Sequence, residues 1–264
     1  MSVSFIHAGN ETMASFRYRV QIPASHLGWS INDETADTLI FSKPTASNVA
    51  TAVRKKSDGG RALVDVCDAH LHRPHYQDFI RLADAVVVPT PFLAQLILED
   101  CGVEATVIPD PYELPEQPPH THGSKLFWFG HASNAYSLEP YLPFLRTQDF
   151  RLMSNLPGAI PWSQQGLVEE LTRANIVVLP ETAPYKSANR AIEAIRAGCF
   201  VVAEPHPSLE SIPGIWVGNL LKGIEWAIQN PSLSTERLMQ SQAYVREQYT
   251  PERVANAWKI RATA

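Results

Sequence analysis

Residues 185–205 read YKSANRAIEAIRAGCFVVAEP. Ala188, Ala191, Ile192 and Ile195 recur at helical spacing, Gly198 closes the run, and residues 200–203 are apolar throughout. Helix, glycine stop and buried strand are the reading. A strand that is apolar at every position needs cover on both faces, which a parallel sheet flanked by helices supplies. The polar residues are the anomaly. A first helical turn favours acids because the dipole is positive there, yet this one carries Lys186, Ser187, Asn189 and Arg190, with Glu193 at i+4 from Asn189. A helix N-terminus with free N–H groups and flanking cations is an anion site.

The same alternation runs outward in both directions. Strand-like runs at 3–7, 38–41, 62–67, 85–88 and 106–108 are interleaved with helical patterns at 46–56, 76–82 and 91–99. Residues 14–24 (ASFRYRVQIPA) read as an extended segment that puts Arg17 and Arg19 on one side, ahead of a helix led by Pro23. Residues 109–124 (PDPYELPEQPPHTHGS) are proline-rich and aperiodic, and read as an interdomain linker. The pattern then restarts, with strands at 126–129, 150–153, 176–179 and 200–203, helices around 141–145, 164–173 and 220–229, and a return through 208–217. The expected fold class is α/β: two Rossmann-like α/β/α domains facing across a cleft, with ligands beyond the carboxyl ends of the strands.

The bulk numbers narrow the function classes. The chain has 264 residues and a net charge of −5. Its longest basic cluster is Arg54-Lys55-Lys56, so global charge gives no support to nucleic-acid binding. Cys67, Cys101 and Cys199 are widely spaced, as reduced thiols are, rather than set as a disulfide framework. The opening MSVSFIHAG lacks a basic leader and no stretch reaches ~18 apolar residues, so a soluble, cytoplasmic protein without a transmembrane segment is expected. His70, His72, His75, His120 and His122 lack the cysteine or carboxylate spacing of a metal site, and no metal is expected.

The order of these pieces resembles that of the GT-B glycosyltransferases. Residues 83–97 (ADAVVVPTPFLAQLI) followed by 107–113 (VIPDPYE) look like the end of that family's N-terminal domain and its crossover. Residues 127–134 (FWFGHASN) are similar to the first donor-domain strand and its glycine turn, and 186–203 to the donor-site helix and strand of the retaining, glycosyltransferase family 4-like members. The tail 249–258 (YTPERVANAW) resembles the family's last helix. Counting eight back from Glu193 reaches Tyr185, so the first glutamate of the family's E-x7-E pattern is missing. The division implied is an N-terminal acceptor-side domain at 1–118, a donor domain at 119–243, and a C-terminal helix, 244–264, packing back toward the first domain.

The resemblance implies transfer of a sugar from a nucleotide-diphosphate sugar, UDP-sugar foremost, to an acceptor hydroxyl, with retention and without a bound metal or permanent cofactor. Lys186 and Arg190 would then stabilise the departing diphosphate, and Glu193 would accept ribose hydroxyls. Gly130, His131 and Asn134 would meet the donor phosphate, Asn134 also capping the next helix, beside Ser187 and Asn189. Arg17 and Arg19 stand where the family's glycine-rich loop faces the donor. Asp68 and His70, after another buried strand, would face the donor sugar or the acceptor hydroxyl. The acceptor is open among a glycan, a protein and a hydroxymethylated base in phage-type DNA, for which Arg17, Arg19 and Arg54–Lys56 would form a local phosphate patch. The alternatives are a sugar-nucleotide epimerase or hydrolase using Asp68 and His70, and a catalytically degenerate nucleotide-sugar binding module.

Overall fold

A computed structural model describes residues 1–264. The chain forms two compact units: Met1–Glu113 with Tyr185–Ser187 and Tyr249–Ala264, and Leu114–Pro184 with Ala188–Gln248. The division thus falls before the expected residue 118, and the last segment joins the first unit from Tyr249.

The first unit is built on six parallel strands, β1 (Val3–Ile6), β2 (Ser30–Ile31), β3 (Thr38–Ser42), β4 (Arg61–Asp65), β5 (Ala85–Val88) and β6 (Ala105–Val107), in the order β2-β1-β3-β4-β5-β6. Successive side chains of a strand point to opposite faces. Leu39 and Phe41 therefore enter the core beneath one face, and Ile40 joins Phe5, Leu63 and Val87 beneath the other. That second face is closed by the helix Pro251–Thr263, whose Trp258 is fully buried with its ring edge-on to Phe5 at 5.4 Å. Thr250 starts this helix, its hydroxyl accepting the Arg253 amide at 3.0 Å just ahead of Pro251. Thr90 does the same for the helix Pro91–Cys101.

Residues 14–27 are helical rather than extended, with a widened π turn over Arg17–Gln21 between Ala14–Phe16 and Ile22–Leu27. Val20 and Ala24 are buried four residues apart, a helical spacing masked in sequence by the two arginines and by Pro23. Pro23 has no N–H to donate, and the widened turn lies directly before it.

The second unit holds five parallel strands, β7 (Leu126–Phe129), β8 (Phe150–Met153), β9 (Ile176–Leu179), β10 (Phe200–Ala203) and β11 (Trp216–Val217), in the order β11-β10-β9-β7-β8. From Leu114 onward the expected linker is a packed strap of this unit. Leu114 is buried, the Gln117 amide donates to the Arg196 carbonyl at 2.7 Å, and the His120 amide donates to that of Gly198 at 3.0 Å. Gly198, at φ +86°, is required here. A Cβ on it would come within 2.3 Å of the Pro118 carbonyl oxygen. Proline removed the periodicity from this segment without making it loose.

Candidate functional site

In the second unit the chain runs outward from β7 to β8 and then returns to the other side of β7 as β9. That reversal makes the carboxyl ends of β7 and β9 the place where ligands bind in such sheets. The helix Asn189–Arg196 begins there. Its N-cap, Ala188, offers no side-chain cap, so its first N–H groups are available to an anion. Arg190, in its first turn, lies over the Trp128 ring at 5.8 Å and donates to the Phe129 carbonyl at 3.4 Å, a long contact. No carboxylate pairs with it, and burial pushes its guanidinium down to about 10.

Gly130 is set by the same packing. A Cβ there would lie 3.0 Å from two Trp128 ring carbons and 3.4 Å from Arg190 Nη1. The helical turn after it is capped by His131, whose Nδ1 accepts the Ser133 amide at 3.2 Å. Asn134, expected as the cap, instead donates its own amide to the His131 carbonyl. Asn155, beyond β8, accepts the Ala132 amide at 2.7 Å and holds this turn to the next strand. Trp128 Nε1 and Ser154 Oγ, at the ends of β7 and β8, are buried without hydrogen-bond partners.

Beyond β9, the loop 180–184 is pinned by two residues that follow β10. Glu204 accepts the Glu181 amide at 2.8 Å and the Tyr141 hydroxyl, and His206 Nε2 meets the Ala183 carbonyl at 3.0 Å. Burial first, and then the nearby Arg190 charge, hold the His206 pKa below its ordinary value despite that hydrogen bond. Glu193 is 1 % exposed, and its Oε2 accepts the Leu114 amide at 3.0 Å. It ties the strap to the helix from inside the unit, where a ribose-facing carboxylate was expected.

Lys186 and Ser187 do not share the helix with Asn189 and Arg190. They lie in the segment Tyr185–Ser187, which groups with the first unit. The Tyr185 carbonyl accepts the Thr90 hydroxyl at 3.2 Å, Lys186 Nζ bonds Asp68, and Ser187 Oγ donates to Asp110 at 2.5 Å. Helical spacing continued back through 186 and 187 because residue type alone does not reveal that their side chains have acidic partners from another element. Asp68 also pairs with Lys43 at 2.9 Å. Burial works against its charge, but Lys186 and Lys43 hold its carboxyl below the usual range.

The arginines of the opening helix face inward. Arg19 is 1 % exposed, bonds Asp65 at 2.6 Å, the Ile108 carbonyl at 2.5 Å and Asp110 at 3.3 Å, and stacks on Trp258 at 5.2 Å. Asp65 also accepts the Ser42 hydroxyl at 2.8 Å. Arg17 bonds Glu113 at 2.9 Å and the Glu11 carbonyl at 2.8 Å. Both arginines neutralise acids of their own unit, which removes them from the expected donor contacts and from a DNA-facing patch. His70 does not pair with Asp68 through side chains. Its amide donates to the Asp68 carbonyl at 2.8 Å, and its ring sits 5.5 Å from Tyr76, edge-on. Among the described residues no three His, Cys, Asp or Glu side chains are placed to hold a metal, and no helix is long and apolar enough to cross a membrane.

No protein-family model matches the chain, and no curated protein matches its sequence. Solved structures do match its fold. HepE from Anabaena in complex with UDP superposes with a TM-score of 0.77 at 12 % identity, covering 100 % of both chains. TarM from S. aureus gives 0.64 at 14 % identity over 86 % of this chain and 56 % of its own. A putative UDP-N-acetylglucosamine 2-epimerase from Listeria monocytogenes gives 0.59 at 11 % identity over 98 % and 94 %. The fold is the two-unit, Rossmann-like α/β architecture of the GT-B glycosyltransferases, and the Listeria protein shares it.

Proposed function

We propose that the protein is a glycosyltransferase that takes a sugar from a nucleotide-diphosphate sugar, UDP-sugar foremost, and passes it to an acceptor hydroxyl. The observation that carries the reading is Arg190: a packed guanidinium with no carboxylate partner, beside Gly130 and the uncapped start of the helix Asn189–Arg196. A cation left unpaired at the carboxyl edge of a parallel sheet is balanced by an anionic ligand. HepE, which shares this fold, is found in complex with UDP and with UDP-glucose, and that favours a uridine diphosphate as the ligand.

In this reading the diphosphate lies against the first N–H groups of the helix and Arg190. When the glycosidic bond breaks, negative charge grows on the leaving phosphate oxygen, and a fixed guanidinium and backbone dipoles stabilise that charge more than the ground state. The departing oxygen takes the proton of the incoming hydroxyl on the same face, which gives retention and needs no carboxylate nucleophile. Transfer of a hexose, with cationic side chains in the place of a metal, is part of the reading. Asp68, already salt-bridged to two lysines, holds them in place rather than acting as a base.

The test is a donor panel of UDP-, GDP- and ADP-sugars, scored by nucleoside diphosphate release with and without glycan acceptors. UDP release that falls at least tenfold in Arg190→Ala supports the proposal. Turnover unchanged in that variant, or no release from any donor, overturns it. Reversible conversion of UDP-sugar without UDP release would select the epimerase.

A further inference from the structure

His7, at the carboxyl end of β1, is 5 % exposed. Its Nδ1 accepts the Gly9 amide at 2.7 Å. A Cβ at residue 9 would lie 2.5 Å from His7 Cε1 and 2.9 Å from Nδ1, so only glycine lets this amide reach the ring. With an N–H already directed at Nδ1, the ring carries its own proton on Nε2. Nε2 is buried and has no hydrogen-bond partner. Burial first, and Lys43 second, hold the imidazole pKa below its ordinary value, with Asp65 opposing them. An enclosed N–H donor without an acceptor is costly, and in native proteins such a group calls for an explanation.

The neighbouring strand carries a second irregularity. β1 pairs with β3 through Ile6 and Phe41, so the chain leaving β3 runs beside His7. Lys43, the first residue past β3, has φ +50°, a left-handed backbone that side chains other than glycine seldom adopt, and it precedes Pro44. Backbone strain of this kind collects at ligand sites. Lys43 shares Asp68 with Lys186, so one carboxylate is divided between two ammonium groups. β1 and β3 also flank the reversal of strand order in the first unit.

We propose that His7 and Lys43 form an oxyanion subsite in the first unit, in which the neutral His7 Nε2–H donates to a phosphate-class oxygen and the Lys43 ammonium supplies the charge. His7 is thereby a binding residue and not a general base. To accept a proton at Nε2 it would have to move its own proton to Nδ1, against the Gly9 amide. The phosphate can belong to a nucleotide or to a separate phosphorylated ligand. Only the first source rests on the glycosyltransferase reading.

The full chain with 15N-labelled histidine is titrated with inorganic phosphate, and with glycerol as a neutral control. His7 is expected in the Nε2–H tautomer, its Nε2 resonance moving with phosphate and not with glycerol. His7→Phe and Lys43→Met each weaken phosphate binding roughly tenfold. His7→Gln, which keeps an N–H near the Nε2 position, retains most of the affinity, and thermal unfolding of each variant separates misfolding from lost binding. An Nδ1–H tautomer, or equal phosphate affinity in folded His7→Phe, overturns the subsite. Repetition with UDP present distinguishes the sources: competition assigns the subsite to the nucleotide's diphosphate, and independent binding assigns it to a second ligand. A protein that binds phosphate at His7 but no nucleotide would refute the glycosyltransferase reading and leave the subsite standing.

Discussion

Replacing Arg190 by methionine should move stability and nucleotide affinity in opposite directions. The fall of the Arg190 pKa to about 10 corresponds to roughly 3 kcal/mol of disfavoured charge, at about 1.36 kcal/mol per pH unit. Its stacking on Trp128 returns about 0.5–2 kcal/mol, and the 3.4 Å contact with Phe129 is too long to add much. Methionine keeps most of the packing and removes the charge, so the ligand-free protein should gain about 1 kcal/mol. In a domain of this size that raises Tm by about 2–4 °C. UDP affinity should fall roughly 10- to 150-fold, the range expected for a lost hydrogen bond to a charged group worth about 1.5–3 kcal/mol. Differential scanning calorimetry without ligand and isothermal titration with UDP give the two numbers. A variant that melts lower than the parent and binds UDP within a factor of about two would refute the reasoning, because Arg190 would then be a structural cation.

Arg19→Met supplies the contrast. It leaves Asp65 and Asp110 buried without their cation and should cost about 3–5 kcal/mol, measured by urea unfolding. Gly130→Ala sets a methyl against the Trp128 ring and Arg190, and should weaken UDP binding about tenfold while costing about 1–3 kcal/mol of stability. Trp258→Ala opens a cavity under the first sheet, and chemical unfolding should show a loss of about 3–5 kcal/mol. The pH dependence of Tm tests His206. Its folded pKa lies below the unfolded value of about 6.5, so its contribution is complete above that pH and is lost as pH falls toward the folded pKa. His206→Gln should therefore flatten the fall of Tm on acidification below about pH 6.5, and an unchanged slope would exclude His206 as its source.

The two parallel sheets were legible because burial on both faces writes itself as unbroken apolar runs, such as 85–88 and 200–203. Gly130 and Arg190 could be picked out because they follow such a run or begin the helix before one. Partnership between distant residues was not legible. Arg17, Arg19, Lys186 and Ser187 are polar side chains in plausible positions, and nothing local says that Glu113, Asp65, Asp68 and Asp110 come from other elements to meet them. Asn155, Glu204 and His206 were missed for the same reason. Each acts on backbone amides or carbonyls of a neighbouring loop, and a hydrogen bond to backbone leaves no mark on the partner's residue type. His7 did carry a local sign, a histidine two residues before a glycine at the end of a strand, but its meaning depends on which ring nitrogen the glycine amide meets.

Charge accounting then separates cations that the sequence presents as equals. Arg19 and Arg190 both lie near the carboxyl ends of parallel strands, and both are packed beside a tryptophan. Arg19 meets two carboxylates and a carbonyl, and its pKa is raised. Arg190 meets one distant carbonyl, and its pKa is lowered. A buried arginine is tolerated when the fold supplies its counter-charge. Where the fold supplies none, as at Arg190, the cost persists in the ligand-free protein unless binding recovers it. The same accounting ranks Lys186 below Arg190 as a partner for the diphosphate, since Asp68 already holds it. An anion that recruits Lys186 must first compete with that carboxylate, so Lys186→Met should weaken UDP binding less than Arg190→Met does. The reverse order, measured by titration on the two variants, would move the diphosphate from the helix Asn189–Arg196 to the segment before it.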